Sequence, residues 1–295
     1  ELVDEASVAA VPGLRAVVVV RDFVGVVAER EEHAEQAMQR LAVRWKPWPG
    51  MPDQGDVEHA LRTNPATQRR LVDDGDVEVA LAGGARLERS YLWPYQLHAS
   101  IGPSCAVAQW QPDGVDAPFQ LRVWAGSQNP HVLRADLAKL MGLQDVQVDV
   151  IRLEAAGCYG RNSADDVAAD AALLARALAE RGQRIESADG AVAGVPVRVQ
   201  LTRAQEHAWE PKGAAQLMDV RGALGPDGRM AAYDFETSYP SNGAPTLALL
   251  LTRTVEPVGE AFAMGDRTAR PPYAVPNLRV AVNAEFGDWE QPLVE

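Results

Sequence analysis

Two short segments carry the residues whose types and spacing could bind a bulky ligand. One is the turn Gly157-Cys158-Tyr159-Gly160-Arg161, which leads from an apolar run into an alanine-rich segment, and the other is WAGSQNPH at residues 124–131, which contains Gln128. Glycines at a helix start leave backbone amides uncovered, and such amides form a seat for an anion or a cofactor. A glutamine side chain offers both a donor and an acceptor, which suits an oxo group or a heterocycle. The turn is neither a P-loop nor a GxGxxG fingerprint, so the pattern does not indicate ordinary nucleotide binding.

Both segments also have a purely structural interpretation. Gly157 and Gly160 would permit positive φ at a sharp strand-to-helix turn, with Asn162 or Ser163 as the N-cap of the helix. In the same way, Ser-Gln-Asn at residues 127–129 would cap the helix that follows them. The residue types alone leave both interpretations open.

The elements predicted around the two segments would bring them together. Alternating and helical patterns predict a strand at 119–125, a helix at 129–141, a strand at 146–150, a helix at 163–180 and a strand at 195–201. This alternation is typical of an α/β fold. Because the carboxyl ends of parallel strands share one edge of the sheet, we expect Gln128 and Tyr159-Gly160 to meet above that edge.

The amino-terminal part of the chain predicts a separate small unit and a linker. Residues 1–46 indicate a compact α/β unit, with two short strands within 14–28, a helix at 31–41 and a return strand at 43–45. Residues 47–76 begin with prolines and glycines and predict a linker, with some helix at 56–62. Residues 77–295 are expected to form one domain, with a flexible loop at 182–194, a turn at 225–228 and an apolar loop at 244–251.

Composition and charge describe a globular protein. The chain has 295 residues, 47% of them hydrophobic, and a formal net charge of −13, which argues against a nucleic-acid partner. Its two cysteines, Cys105 and Cys158, can form one disulfide at most, which favours the cytoplasm, with the periplasm as the alternative. No apolar run reaches the ~18 residues of a membrane span. The first residue is Glu1 rather than Met, so we expect a fragment, a processed subunit or the ordered part of a longer chain.

Several other polar residues are interpreted as structural. The five histidines show no HxxxH spacing and no CxxC is present, which argues against a zinc site. His98 is expected to be a satisfied interior or edge residue, and Glu206-His207 to lie on the surface rather than to act in acid–base chemistry. The acidic pairs Asp73-Asp74 and Asp165-Asp166 are expected on solvated faces.

The order of the two segments resembles the molybdenum-binding large subunit of the xanthine dehydrogenase/aldehyde oxidase family. There, a strand ending in Trp-x-x-x-Gln is followed by a helix, a strand and a Gly-Gly-Phe-Gly-Gly turn; here Tyr159 replaces Phe and Arg161 replaces the last Gly. Gly102-Pro103 stands where the family has Glu-Pro. Residues 11–29, 34–47, 95–110, 195–213 and 272–280 agree as well, so the resemblance covers roughly residues 8–282. It is greatest to the isoquinoline 1-oxidoreductase and nicotinate dehydrogenase large subunits.

The resemblance implies a mixed α/β fold and a set of cofactor contacts. Residues 1–46 would be the end of a hammerhead-like domain, and 77–295 the first half of a molybdopterin-binding domain. Gln128 would hydrogen-bond the oxo ligand of the molybdenum, and the turn from Gly157 to Arg161 would lie against the metal centre and the pterin, where an uncluttered backbone lets a flat cofactor come close. Arg161 would pair with an anion of the cofactor or substrate. The family's substrate-orienting carboxylate would fall near Ser163, which argues against a xanthine-type substrate.

The resemblance also implies an activity that this chain supports only in part. Members hydroxylate an N-heteroaromatic compound or oxidise an aldehyde with oxygen from water, using molybdenum bound to molybdopterin, here expected in its cytosine dinucleotide form. Electrons leave through [2Fe-2S] clusters on a partner subunit, and a cytochrome c is a further candidate partner. No catalytic residue is expected in this chain, because the family's Glu base lies in a segment expected in a missing carboxyl-terminal half or a second chain, and Glu206, Glu210 and Glu236 lie in the wrong contexts to replace it. The alternative is a non-catalytic binding or assembly module of the same fold.

Overall fold

The computed structural model describes residues 2–47, 55–112, 114, 117–186, 188, 190, 192–240, 245–256, 266 and 268–285. This part of the chain contains the strands β1 (Val3–Asp4), β2 (Leu14–Val20), β3 (Phe23–Ala28), β4 (Ala42–Val43), β5 (Ala66–Asp74), β6 (Ala85–Trp93), β7 (Cys105–Trp110), β8 (Leu121–Ala125), β9 (Val148–Arg152), β10 (Arg184–Glu186), β11 (Val192–Gly194), β12 (Val197–Gln200), β13 (Gln216–Leu224), β14 (Met230–Pro240) and β15 (Asn277–Glu285). Its α-helices are α1 (Glu31–Arg40), α2 (Val57–Thr63), α3 (Val77–Ala82), α4 (Pro130–Met141), α5 (Ala164–Glu180), α6 (Arg203–Trp209) and α7 (Leu247–Leu251). The predicted mixed α/β class is confirmed.

The elements form two compact units. The first unit combines Glu1–Pro47, Leu97–Pro211 and Pro245–Glu256. The second unit combines Trp48–Gln96, Lys212–Ala244 and Pro257–Glu295. Each unit is therefore built from three separate stretches of sequence.

A four-stranded sheet covered by α5 forms the centre of the first unit. The strand order is β12-β7-β8-β9, with β8 and β9 parallel and the other pairs antiparallel. On β8 the side chains of Leu121, Val123 and Ala125 are buried, as the two-residue period of a strand requires when one face lies on the core. Most buried residues of α5 are alanines, and such small side chains let the helix lie close to the sheet.

A β-hairpin and a helix complete the first unit. The two short strands expected within 14–28 are present as β2 and β3; they pair antiparallel around Arg21-Asp22, and α1 packs against both strands. The hairpin also lies on α5, because a Cβ added at Gly25 would be 2.8 Å from Leu174 Cδ2. The guanidinium of Arg181, just after α5, donates to the carbonyl oxygen of Val17 at 2.9 Å.

The second unit is built on a five-stranded sheet with the order β5-β15-β14-β13-β6. Strands β14 and β15 are parallel, and the remaining pairs are antiparallel. Leu278 and Val280 of β15 lie in its core. Asp234 accepts hydrogen bonds from Arg221 and Arg279, and both arginines also contact Glu78 of α3.

Three predicted irregular segments contain regular structure. Within the predicted linker at 47–76 lie α2, close to the helix expected at 56–62, and β5, which was not predicted. Strand β5 pairs with β15, about 200 residues further along the chain, and such a distant pairing leaves no local pattern in the sequence. The predicted flexible loop at 182–194 holds the hairpin of β10 and β11. The predicted apolar loop at 244–251 holds α7. By contrast, the helices expected at 31–41, 129–141 and 163–180 are present within one residue of their predicted bounds.

Candidate cofactor-binding site

The turn from Gly157 to Arg161 has a strained backbone. Gly157 has φ +86° and Gly160 has φ +146°, while Tyr159 adopts φ +45° although it has a side chain. This left-handed region disfavours residues other than glycine, so the glycines are required by the backbone, as the structural interpretation expected. Tyr159 is 64% exposed, and its ring lies over Gly157, where an added Cβ would be 2.9 Å from Tyr159 Cζ.

Gln128 lies against this turn, as the strand order predicted. Its Nε2 donates to the carbonyl oxygen of Gly160 at 2.8 Å, and the backbone N–H of Asn162 donates to its Oε1 at 3.3 Å. The contact forms because β8 and β9 are parallel and end at the same edge of the sheet. The Ser127 hydroxyl accepts from the Asn129 amide at the start of α4, at 3.1 Å. The side chain of Gln128 contacts the turn instead.

The side chain of His98 packs against the turn at Gly160. A Cβ added at Gly160 would overlap the imidazole ring of His98. The ring Nδ1 lies 3.0 Å from both the backbone nitrogen and the carbonyl oxygen of Arg161. The His98 ring therefore occupies the space beside Gly160. The sequence had suggested that a cofactor would lie there. His98 is satisfied by the backbone, in agreement with its structural interpretation.

The start of α5 is capped by Asn162. Its Oδ1 accepts from the Ala164 amide at 3.2 Å, whereas Ser163 holds the N-cap position without a side-chain hydrogen bond. The Ser163 hydroxyl is buried and has no hydrogen-bond partner among the residues that the structure describes. Arg161 forms an ion pair with Asp165, one turn along the helix, so the structure gives this arginine a partner within the chain.

The acidic residues of α5 are more buried than predicted. Asp165 is paired with Arg161, and Asp166 accepts from the Leu247 amide at 3.0 Å, so the expectation of a solvated face at Asp165-Asp166 is wrong. Burial raises the pKa of Asp166. Burial, with a smaller contribution from the charge of Asp166, raises the pKa of Asp170 to about 7. The helix packs against both α4 and α7, which removes this side from water.

Two glutamates at α6 are also buried, contrary to the surface interpretation of Glu206-His207. Glu206 is 0% exposed and accepts from the backbone N–H and the hydroxyl of Ser104, at 2.7 and 3.0 Å. Glu210 is 2% exposed and accepts from the amides of His98 and Ala99, at 2.6 and 3.0 Å. Their i, i+4 spacing was the available signal, since it places both acids on one side of a helix. The sequence did not show that residues 98–104 cover that side.

The described residues contain no group of three or more His, Cys, Asp or Glu side chains that could hold a metal ion. Cys105 and Cys158 are both free thiols. Within the same part of the chain, no helix is long and apolar enough to span a membrane.

Comparison with known proteins decides the family. The family model of the molybdopterin cofactor-binding domain matches residues 57–285. The chain belongs to this family. A nicotinate dehydrogenase subunit of Pseudomonas putida is 59% identical over 283 residues, which cover 95% of this chain and 22% of that protein.

Two solved oxidoreductase structures share the fold of the chain. Quinoline 2-oxidoreductase from Pseudomonas putida 86 matches with a TM-score of 0.67 and 16% identity, over 96% of this chain and 38% of that chain. Aldehyde oxidoreductase from Desulfovibrio gigas matches with a TM-score of 0.66 and 17% identity, over 96% of this chain and 33% of that chain. The molybdopterin-binding chain thus spans about a fifth to two fifths of the proteins it matches.

Proposed function

We propose that this chain is the cofactor-binding part of a molybdenum hydroxylase, and that Gln128 and the turn from Gly157 to Arg161 contact the cofactor. The observation that carries the proposal is the 2.8 Å hydrogen bond from Gln128 to the Gly160 carbonyl, which joins the ends of two parallel strands. Ligands of α/β sheets bind at this kind of edge. The residue types at this edge are those that the sequence singled out.

The side chains present fit the group. Gln128 Nε2 carries two N–H donors, and the bond to Gly160 uses one of them, which leaves one for an oxygen of the ligand. The exposed ring of Tyr159 offers a flat apolar surface. The buried hydroxyl of Ser163, which has no partner within the described part of the chain, lies two residues after the turn. When bound, the molybdenum cofactor supplies the two-electron oxidation of the substrate. The protein's own residues bind and orient it, and Arg161 is kept in place by Asp165.

The relatives support a substrate class for the complete enzyme. We place an N-heteroaromatic compound of the nicotinate or isoquinoline type first, because a relative with 59% identity is named for nicotinate, and an aldehyde second. The cofactor is assigned the cytosine dinucleotide form, and the electron acceptor is a [2Fe-2S] subunit, with a cytochrome c as a further partner. That relative is named as one subunit of its enzyme, which supports a complex of several chains. The free thiols support a cytoplasmic location over a periplasmic one.

Gln128→Ala tests the proposal. In the natively purified protein, which should contain stoichiometric molybdenum and pterin, the variant should lower turnover about 10²-fold, because one hydrogen bond to the reacting centre is commonly worth that much. Gln39→Ala is the matched control, since Gln39 lies on α1 and its side chain donates to Glu35 of the same helix. Circular dichroism checks that both variants fold.

Two results would oppose the proposal. Active protein without molybdenum would exclude a molybdenum hydroxylase. Unchanged turnover of a folded Gln128→Ala variant would favour the alternative, a binding or assembly module that keeps the fold and has Tyr159 and Gly102 where the family has Phe and Glu.

A further inference from the structure

Helix α6 reaches the cofactor turn through two chains of hydrogen bonds. Glu206 and Glu210 lie one helical turn apart, and both side chains are buried against residues 98–104. A buried carboxylate is costly unless it is fully hydrogen-bonded. Here both carboxylates accept hydrogen bonds from that one segment.

The first chain runs from Glu206 through Ser104 to Ser163. A carboxylate only accepts hydrogen bonds, so the Ser104 hydroxyl donates to Glu206 Oε1 at 3.0 Å. The lone pairs of the same hydroxyl are then free to accept the Ser163 amide at 3.0 Å. Glu206 thereby fixes the direction of the hydrogen bonds at the start of α5.

The second chain runs from Glu210 through His98 to Arg161. Glu210 Oε1 accepts from the consecutive amides of His98 and Ala99, at 2.6 and 3.0 Å. Ala99 has φ +52°, a conformation that persists in a residue with a side chain only when the surroundings impose it. This bend aims the His98 ring at the backbone of Arg161, 3.0 Å from Nδ1.

We infer that Glu206 and Glu210 are positioning residues for the cofactor turn. They hold the backbone at Arg161 and Ser163, on either side of Asn162, which itself donates to Gln128. A turn held in its bound shape loses less entropy on binding, so the two carboxylates raise cofactor affinity without touching the cofactor. What the turn binds rests on the proposed function; the positioning itself rests on the hydrogen bonds of the two chains.

Hydrogen exchange of single amides tests the inference in the natively purified protein. Glu206→Gln keeps one acceptor oxygen for the Ser104 amide but turns an N–H donor toward the Ser104 hydroxyl, where it competes with the Ser163 amide for the hydroxyl lone pairs. Exchange of the Ser163 amide should therefore rise about ten- to a hundredfold, as for a lost buried hydrogen bond. Glu210→Ala should do the same to the Arg161 amide. Glu210→Gln should restore slow exchange there, because a single amide oxygen can accept both N–H groups that Glu210 Oε1 accepts.

Pterin content per chain is the second readout, and it should fall in Glu206→Gln and Glu210→Ala. Glu180→Gln is the control, because it removes an exposed carboxylate at the other end of α5. Ser104→Ala serves if Glu206→Gln fails to fold, since it keeps the bond from the Ser104 backbone to Glu206 and removes the hydroxyl that joins Glu206 to Ser163.

Two outcomes would overturn the inference. One is unchanged exchange at Ser163 and Arg161 in the folded variants. The other is a rise of similar size in β13 of the second unit, which would mean a general loss of stability. Protein that contains no molybdenum or pterin would contradict the proposed function instead, and the exchange rates would still decide whether the carboxylates position the turn.

Discussion

Gly160 leaves less room for a side chain than Gly157, the other glycine of the turn. Its φ of +146° excludes most residues, and the His98 ring occupies the place of its missing Cβ. Its carbonyl oxygen is also the acceptor for Gln128. Gly160 therefore contacts both Gln128, which follows strand β8, and His98, and it lies four residues before the start of α5.

Gly160→Val should abolish cofactor retention. The added side chain would displace His98 and shift the carbonyl that Gln128 contacts, and a β-branched residue resists this φ. Molybdenum and pterin analysis of the natively purified variant measures the effect, which should exceed tenfold if about 1.4 kcal/mol or more of binding is lost.

Gly182→Val is a control that separates the effect of the collision with His98 from the effect of backbone strain. Gly182 has φ +72° and nothing within 4 Å of an added Cβ, so this variant shares the strain without the collision and should retain its cofactor. Tyr159→Phe should also be mild, because the ring face remains. A folded Gly160→Val protein with full cofactor would show that the turn does not form the binding site.

At the scale of elements, α5 connects the cofactor turn to the core of the first unit. Its first residue follows the turn, its alanines lie on the sheet, and its side toward α7 carries Asp166 and Asp170. Burial raises the pKa of Asp170 to about 7, well above its ordinary value of 3.8. This acid therefore binds its proton more tightly in the folded state than in the unfolded state.

Asp170→Asn should change the pH dependence of stability. Since the folded pKa is raised, the wild type loses stability as pH rises from about 4 to about 7, where the buried carboxyl ionises in the folded protein. The neutral amide removes this loss, so the variant should gain about 4 kcal/mol over wild type at pH 8 and nothing at pH 4. Denaturant unfolding across this pH range measures the gain.

The exposed Glu180 on the same helix provides the control, because Glu180→Gln should leave the pH profile unchanged. Equal stability of Asp170→Asn and wild type at pH 8 would mean that Asp170 keeps its ordinary pKa in the fold.

At the scale of the whole molecule, the chain corresponds to only part of the length of each relative that it matches. It covers 22% of the nicotinate dehydrogenase subunit that it matches. The three glutamates considered as a base are all engaged in hydrogen bonds within the chain. Glu206 and Glu210 accept from the backbone, and Glu236 accepts from Gln68 and Asn283. The general base of the proposed reaction is therefore expected on a further segment or a second chain.

Residues 1–295 expressed alone should consequently lack hydroxylase activity. A missing general base alone commonly costs about 10²–10⁴-fold in rate. The chain would be produced with the cofactor-insertion machinery and assayed for oxidation of nicotinate, isoquinoline and aldehydes, beside the natively purified complex. Turnover comparable to that complex would overturn the assignment of the base.

Local sequence patterns were sufficient for most of the first unit. Short-range periodicity predicted the strands β2 and β3 and the helices α1, α4 and α5, and the strand order placed Gln128 beside Tyr159-Gly160. These features depend on residues within one turn or one strand of each other, and on the rule that parallel strands end at one edge. The roles of the turn residues toward a cofactor remain predictions.

Only the tertiary structure revealed the supports of the site and most of the second unit. Glu206, Glu210 and His98 act on the turn from segments more than 40 residues away, and β5 pairs with β15 across almost the whole chain. Burial decided the environment of Asp166 and Asp170, which look like solvated acids in the sequence. Burial and distant pairing depend on which surfaces meet in the folded chain, and the local sequence around each residue does not determine those contacts.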